Sequence, residues 1–240
     1  MTISIIVLLL TFIILLSLNI PIALAIGVST TLSMIVTIPI APALTTIAQQ
    51  MATGMNSFAL LAIPFFILSG YIMAQGGIAN RLINFAKVIV SSFPGGLAYV
   101  NIIACMFFGA ISGSAAAATS AVGGVMIPSM NKEGYDKNFN TALTVTASTT
   151  GLLIPPSNIL IIYSLASGGV SISALFIAGY IPGLLIGLSL IFVSMIMARI
   201  NSYPSGLKYG LKDIITRSFE ALPSLLLIYI VIGGIIKGIF

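Results

Sequence analysis

The sequence predicts an all-α integral membrane protein that includes a re-entrant helical hairpin and a discontinuous helix. Three observations carry this. Of 240 residues, 59% are hydrophobic and only 5% charged, where a soluble domain carries roughly 25% charged residues; the bilayer is therefore the solvent. The charges gather in short breaks between long apolar runs. Two apolar stretches are interrupted far from those breaks, by Ser112-Gly113-Ser114 and by Pro155-Pro156.

The elements follow in order. Met1 to Leu18 reads as a first span. It is retained rather than cleaved, because no positive charge precedes it and a second apolar run follows at once. Asn19-Ile20-Pro21 is a tight turn, with Pro21 suited to a first helical position, and Ile20 to Ile38 is a second span. Pro39 and Pro42 break the pattern. The more polar stretch Ala43 to Ser57 belongs at the interface or against protein. Phe58 to Ala74 is a third span, kinked at Pro64. After Gly76-Gly77, Ile78 to Val90 is amphipathic. Asn80, Arg81, Asn84 and Lys87 share one face, with Ile78, Leu82, Phe85 and Ile89 away from it, as in a helix lying along the membrane surface.

Leu97 to Pro128 is apolar with Ser112-Gly113-Ser114 near its middle, and the charged break Asn131 to Asn140 follows. Thr141 to Ser167 is hydroxyl-rich and broken at Pro155-Pro156. Val170 to Ser173 is a turn, Ala174 to Ile200 a span, Asn201 to Phe219 polar and basic, and Ala221 to Phe240 the start of a further span.

Lys and Arg flank membrane segments on the cytoplasmic side. Arg81 and Lys87 precede the Leu97–Pro128 stretch, and Lys132 and Lys137 follow it. The stretch therefore leaves and returns on one side. Each half, about 15–17 residues, measures about 25 Å at the helical rise, short for a hydrocarbon core about 30 Å thick. A hairpin that dips in from the cytoplasm and turns at Ser112-Gly113-Ser114 satisfies both. Eight of the nine basic residues then lie inside, Lys237 excepted, and the N-terminus starts outside.

Composition removes several function classes. The chain has no histidine, and its four acids, Glu133, Asp136, Asp213 and Glu220, sit in or beside polar breaks. His-based metal sites, Ser-His-Asp triads and intramembrane carboxylate pairs are absent. No Walker motif is present, nor a basic face with interleaved aromatics for nucleic acid. The single Cys105 cannot form an intrachain disulfide and packs as a small hydrophobe.

The two interruptions remain as the places for chemistry. Consecutive prolines remove two donors from the helix ladder and free carbonyls near Gly151 to Ile154. Such backbone survives at membrane depth only when buried in protein or lining a wet cavity, and transporters build midplane ion sites this way. Carbonyls and hydroxyls hold a hard cation, and no group here relays protons, so Na⁺ is favoured over H⁺. Ser112, Ser114, Ser148, Thr149, Thr150, Ser157 and Asn158 are the nearby candidates. The helix restarting after Ser114 also points free N–H groups at the tip, which suits an anionic group. Plainer readings stand beside these. Ser-Gly-Ser amid alanines also serves close helix packing, Pro-Pro a simple kink, and Thr141, Thr144, Thr146 and Ser148 back-bond within their own helix. The series Gly179, Gly183, Gly187 is read as packing.

Several stretches in order resemble the large membrane subunit of TRAP (tripartite ATP-independent periplasmic) transporters. They are Ser57 to Lys87, Pro94 to Ala117, Met126 to Leu143, Gly151 to Tyr163 and Ala174 to Leu185. Ala118 departs from the acidic residue many members carry there. The resemblance implies an inverted-repeat elevator fold with only the first repeat present, in the bacterial inner membrane. It implies scaffold spans over 1–75, an amphipathic arm over 76–94 and a transport domain over 95–200. The last comprises a hairpin 95–129, a broken helix 140–167 and a span 172–200. A cytoplasmic connector over 201–220 and the start of a second repeat over 221–240 complete it. Family large subunits are nearly twice this length, so half of the expected site lies beyond this chain. Carried over, Na⁺ sits between hairpin tip and unwound helix, at Ser112, Gly113, Ser114, Ala115, Gly151, Pro155, Pro156 and Ser157. Substrate contacts fall on Ser114, Ala116, Ser157 and Asn158. The implied partners are a small four-helix membrane subunit and a periplasmic binding protein that delivers an organic anion of the C4-dicarboxylate or sialic acid type. The rival readings are a carboxylate symporter of the same superfamily without a binding protein, and a non-transporting membrane scaffold.

Overall fold

The computed structural model describes residues 2–56, 58–206 and 209–236. Met1, Ser57, Lys237 and Phe240, all named above, lie outside the described residues. Chain contacts divide the molecule into two units, Met1–Leu60 and Leu61–Phe240.

In the first unit, α1 (Thr2–Ser17) and α2 (Ile22–Ile35) pair across a turn in which Asn19 takes a left-handed conformation. The seam is made by small residues. Ala25, Ser29 and Ser33, four apart on α2, are its buried positions, and Ser33 Oγ donates to the Ser4 carbonyl at 2.8 Å. Spacing by four puts all three on one stripe, which lets the backbones approach. Outward-facing residues of α1 such as Ile3, Ile13 and Leu10 stay more than half exposed, a surface suited to lipid rather than water. The helix α3 (Ile40–Met55) starts sooner than its prolines suggest. Pro39 is the N-cap residue and Pro42 falls in the first turn, where a missing N–H costs nothing.

The second unit contains most of α4 (Phe58–Gln75) and α5 to α11. At its centre is α6 (Gly96–Ser112). Nearly all its residues are buried, which is what an all-round apolar helix requires. Around it pack α5 (Ile78–Val90), α7 (Ala115–Lys132) and α8 (Lys137–Gly151). Leu82, Ile83 and Ala86 of α5, Ile102 and Phe108 of α6, Val122 and Met126 of α7 and Ala147 of α8 form one core. The bounds of α5 are those its periodicity predicts, but its apolar face is sunk in protein. Val88 is buried as well, while Ile89 remains 49% exposed.

The helix α7 runs four residues past the expected end at Pro128, and α8 begins at Lys137 rather than Thr141. Asp136 explains the earlier start: its Oδ1 accepts from Phe139 N at 2.8 Å, an N-cap bond. The short α9 (Asn158–Ala166) and the long α10 (Ile172–Ile200) follow. Among the described residues only Ile172–Ile200 is both long and apolar enough to cross a membrane by itself; Ile3–Ser17, Ile22–Ile35 and Gly96–Ser112 are apolar but shorter. The last helix, α11 (Leu211–Ile236), begins within the stretch read as a polar connector.

Three loops meet at one end of this unit. Gly95 N donates to the Pro204 carbonyl at 3.1 Å, and Gly206 N to the Ser91 carbonyl at 2.8 Å. Tyr203 stacks on Tyr135 with ring centroids 4.2 Å apart, and its hydroxyl accepts from Asp136 N. Burial pushes the Tyr135 hydroxyl well above the ordinary tyrosine range. The loops joining α5 to α6, α7 to α8 and α10 to α11 are thus tied together, so the α6–α7 hairpin ends where it began.

Candidate functional site

The chain turns between α6 and α7 over two residues. Gly113 takes φ +63°, and its N–H donates to the Gly109 carbonyl at 2.8 Å, closing α6. Ser114 is extended and caps α7: its Oγ accepts from Ala117 N at 3.2 Å. Ser112 Oγ bridges to the backbone of Ser114 at 3.3 and 3.4 Å. Ala118 N donates to the Ser114 carbonyl, so Ala115 and Ala116 N–H lead α7 without a helical acceptor, as the first turn of any helix leaves them.

The second interruption spans 152–157. Leu152 N, Leu153 N and Ile154 N donate back to the carbonyls of Thr149, Thr150 and Gly151, and α9 starts at Asn158. Its N-cap residue, Ser157, is extended and makes no side-chain capping bond. Ser157 and Asn158 are buried, and Ser157 Oγ and Asn158 Oδ1 have no hydrogen-bond partner. A buried polar atom in that state costs about 1–3 kcal/mol.

The two interruptions touch. A Cβ placed on Gly113 would lie 2.6 Å from Asn158 Nδ2. One turn earlier, a Cβ on Gly151 would lie 2.7 Å from Gly109 Cα, so α6 and α8 cross with backbone against backbone. Only glycine permits either approach. A cavity of about 420 Å³ opens at the tip. It is lined by Ser112, Gly113, Ser114 and Asn158, with Ile63 and Tyr71 of α4 on another side.

The predicted residues are therefore sorted by geometry. Ser112, Gly113, Ser114 and Asn158 share the cavity, with Ala115 and Ser157 their chain neighbours. Ala116 is exposed on α7. Gly151 serves the helix crossing, and its carbonyl accepts from Ile154 N at 3.3 Å. Pro155, with Ile154, lines a different, apolar cleft beside α10; Pro156 is buried. Nor do the freed carbonyls all face the tip: a Cβ on Gly179 would lie 2.4 Å from the Leu153 oxygen. The back-bonding reading holds for Thr141, Thr144 and Thr146 but not for Ser148, which donates to Cys105 Sγ on α6 instead; the cation candidates Thr149 and Thr150 back-bond too, both donating to the Thr146 carbonyl. The glycine series does pack: besides Gly179, Gly183 meets Ile154 and Gly187 meets Met106.

A buried polar chain escaped the sequence reading. Asn101 Nδ2 donates to Thr144 Oγ1 at 2.7 Å, Cys105 Sγ to Asn101 Oδ1 at 3.4 Å, and Ser148 Oγ to Cys105 Sγ at 3.4 Å. It fixes α6 on α8 below the glycine crossing. Asn101, alone among apolar neighbours and four residues before Cys105, was the available signal. Cys105 is thus a hydrogen-bonded member of that chain as well as packing filler.

Comparison with known proteins gives the arrangement a setting. The family model described as "Tripartite ATP-independent periplasmic transporter, DctM component" matches residues 9–240. Over 212 residues the chain is 50% identical to protein YgiK of Salmonella typhimurium, covering 88% of this chain and 49% of that protein. It is 42% identical over 224 residues to the C4-dicarboxylate TRAP transporter large permease protein DctM of Vibrio cholerae, covering 86% and 49%. It is also 42% identical over 193 residues to the sialic acid TRAP transporter large permease protein SiaM of the same organism, covering 80% and 45%. The chain spans about half the length of the curated relatives it matches. With the family model matched along almost its whole length, and with all-helical architecture throughout its described residues, the chain belongs to the DctM family of tripartite ATP-independent periplasmic transporters.

Proposed function

We propose that this chain supplies the first repeat of a permease that imports an organic anion by Na⁺ symport across the bacterial inner membrane. It works by an elevator motion, with solute delivered by a periplasmic binding protein and a small four-helix membrane subunit bracing the scaffold. The observation that carries the proposal is the pair of buried, partnerless oxygens, Ser157 Oγ and Asn158 Oδ1, at the start of α9, where the Asn158 side chain meets Gly113 through its amide nitrogen. Oxygen without a donor is what a desolvated hard cation seeks. The last carbonyls of α6, past the final helical donor, carry negative partial charge, and the first N–H groups of α7 and α9 carry positive. One small region thus offers oxygens to a cation and N–H groups to an anion, the pairing that symport of Na⁺ with a carboxylate needs. No carboxylate or histidine lines the cavity, which supports Na⁺ over H⁺ as the coupled ion. The C4-dicarboxylate and sialic acid permeases among the relatives support a carboxylate solute.

The test is solute uptake by the full-length permease with its partner subunit and binding protein in proteoliposomes. Uptake should follow an imposed Na⁺ gradient and stay at background under a pH gradient alone. Equal uptake without Na⁺ overturns the coupling.

A further inference from the structure

A second, wholly apolar cleft runs along the outside of the unit, between α5 and α10 with α6 as its floor. Its deep part, about 530 Å³, is lined by Phe85 and Ile89 of α5, Met106 of α6 and Leu184 and Leu188 of α10, and presents no polar surface. Towards the end where the loops are tied, it continues into a smaller cavity of about 280 Å³ bounded by Phe93, Tyr99, Met195 and Arg199. Ile191 lines both, so the two lie end to end along α10. The polarity changes along it: apolar from Leu184 to Ile191, then a cation and a tyrosine at the mouth. No acidic residue lines either part; the four acids lie at 133, 136, 213 and 220.

From this we infer that the α5–α10 groove holds one anionic glycerophospholipid, its phosphate on Arg199 and one acyl chain along α10 towards Leu184. Dimensions agree. Arg199 and Leu184 are fifteen residues apart on one helix, about 22 Å at the helical rise. That is enough for a headgroup and the acyl depth of one leaflet, about 15 Å, or half of the hydrocarbon core. The chemistry agrees too. Arg199 stands in the last turn of α10, where a cation near the cytoplasmic leaflet meets anionic headgroups, and Tyr99 offers the amphipathic ring favoured at that level. The flanks are open in this chain: Ile89 is 49% and Phe93 57% exposed. The groove floor is α6, the arm that carries the Ser112–Ser114 turn, so a lipid here packs on the element that presents the tip.

The experiment is native mass spectrometry of the full-length permease with its partner subunit, released from phosphatidylcholine bilayers containing a minor fraction of phosphatidylglycerol. Wild type should retain one phosphatidylglycerol in preference to phosphatidylcholine. Arg199→Gln should weaken that preference by about fivefold, the factor one basic residue near an anionic surface supplies, and Arg199→Lys should keep most of it. Two exposed positions allow the acyl part to be blocked with Arg199 intact: Leu188→Trp and, independently, Leu184→Trp should each expel the lipid. Retention unchanged in all these variants would mean that the lipid sits elsewhere, and no preferential retention by wild type would mean that protein covers the groove; on either result the inference fails. Loss with Arg199→Gln but not with either tryptophan would mean a surface phosphate contact alone, and the seated acyl chain fails.

Discussion

Gly113 and Asn158 belong to different broken helices, yet the Cα of one lies directly against the side-chain amide of the other. The contact joins the end of α6, the start of α7 and the start of α9 at a single point, and function is expected to be most sensitive there.

Two demands act at Gly113, a left-handed backbone and lack of space, and two substitutions separate them. Gly113→Ala meets both penalties. Gly113→Asn tolerates positive φ but still collides with Asn158. Both variants should insert normally and transport at less than about a tenth of the wild-type rate, since displacement of a positioning contact by 1 Å costs on the order of 100-fold. Initial-rate uptake in proteoliposomes decides; near-normal transport by Gly113→Asn would show that only the backbone matters.

Ser157→Ala should split stability from ligand response. Ser157 Oγ is buried without a partner, so its removal should leave the protein unchanged or up to about 1 kcal/mol more stable in Na⁺-free buffer. The same variant should lose most of the rise in melting temperature that Na⁺ gives wild type, because that rise reflects binding to the folded state alone. Thermal unfolding in detergent with and without Na⁺, choline replacing it, measures both. A full Na⁺ response in Ser157→Ala would remove this hydroxyl from the cation site.

The glycines of α6, α7 and α8 should not be equivalent. Gly151→Ala would press a methyl group onto Gly109 Cα at 2.7 Å, where only backbone can yield, and should cost about 1–3 kcal/mol. Gly124→Ala meets nothing within 4 Å and lies inside α7, so it should stabilise by about 0.5–1 kcal/mol. Chemical or thermal unfolding of the two variants side by side should show opposite signs.

Thr144→Val keeps the shape of a buried residue and removes the acceptor for Asn101 Nδ2. The amide, left with only the weak acceptor Met130 Sδ at 3.7 Å, should destabilise the fold by about 1–3 kcal/mol. Asn101→Leu combined with Thr144→Val should cost less than the sum of the single changes, because no partner is then left unpaired. A double-mutant cycle on unfolding free energies tests this.

Much of this arrangement could be read from local chemistry. The ends of α5 follow from Gly77 and the polar face of Asn80, Arg81, Asn84 and Lys87, and both interruptions are marked by Gly113 and by Pro155-Pro156. The loops at the hairpin's two ends are tied through the loop joining α10 to α11. What remained hidden is set by contacts between distant segments. Nothing near Thr149 distinguishes a hydroxyl that back-bonds from one that faces a ligand. The orientation of the Leu153 carbonyl depends on Gly179, twenty-six residues later. Pro155 faces the apolar groove because α10 passes there, and Asn101 finds Thr144 only after α6 and α8 cross. The start of α11 ten residues before its apolar run was obscured because Asp213, Arg217 and Glu220 occupy its first turns.

The three glycines of α10 bear on how the molecule moves. Leu153, Ile154 and Met106 rest in the notches at Gly179, Gly183 and Gly187, so the unwound segment is keyed to α10 as teeth are to a rack. Sliding one past the other would drive main chain into side chain. Under the elevator motion proposed above, a stroke that carries the discontinuity through the bilayer would therefore carry α10 as cargo, and the sliding boundary would lie on another face.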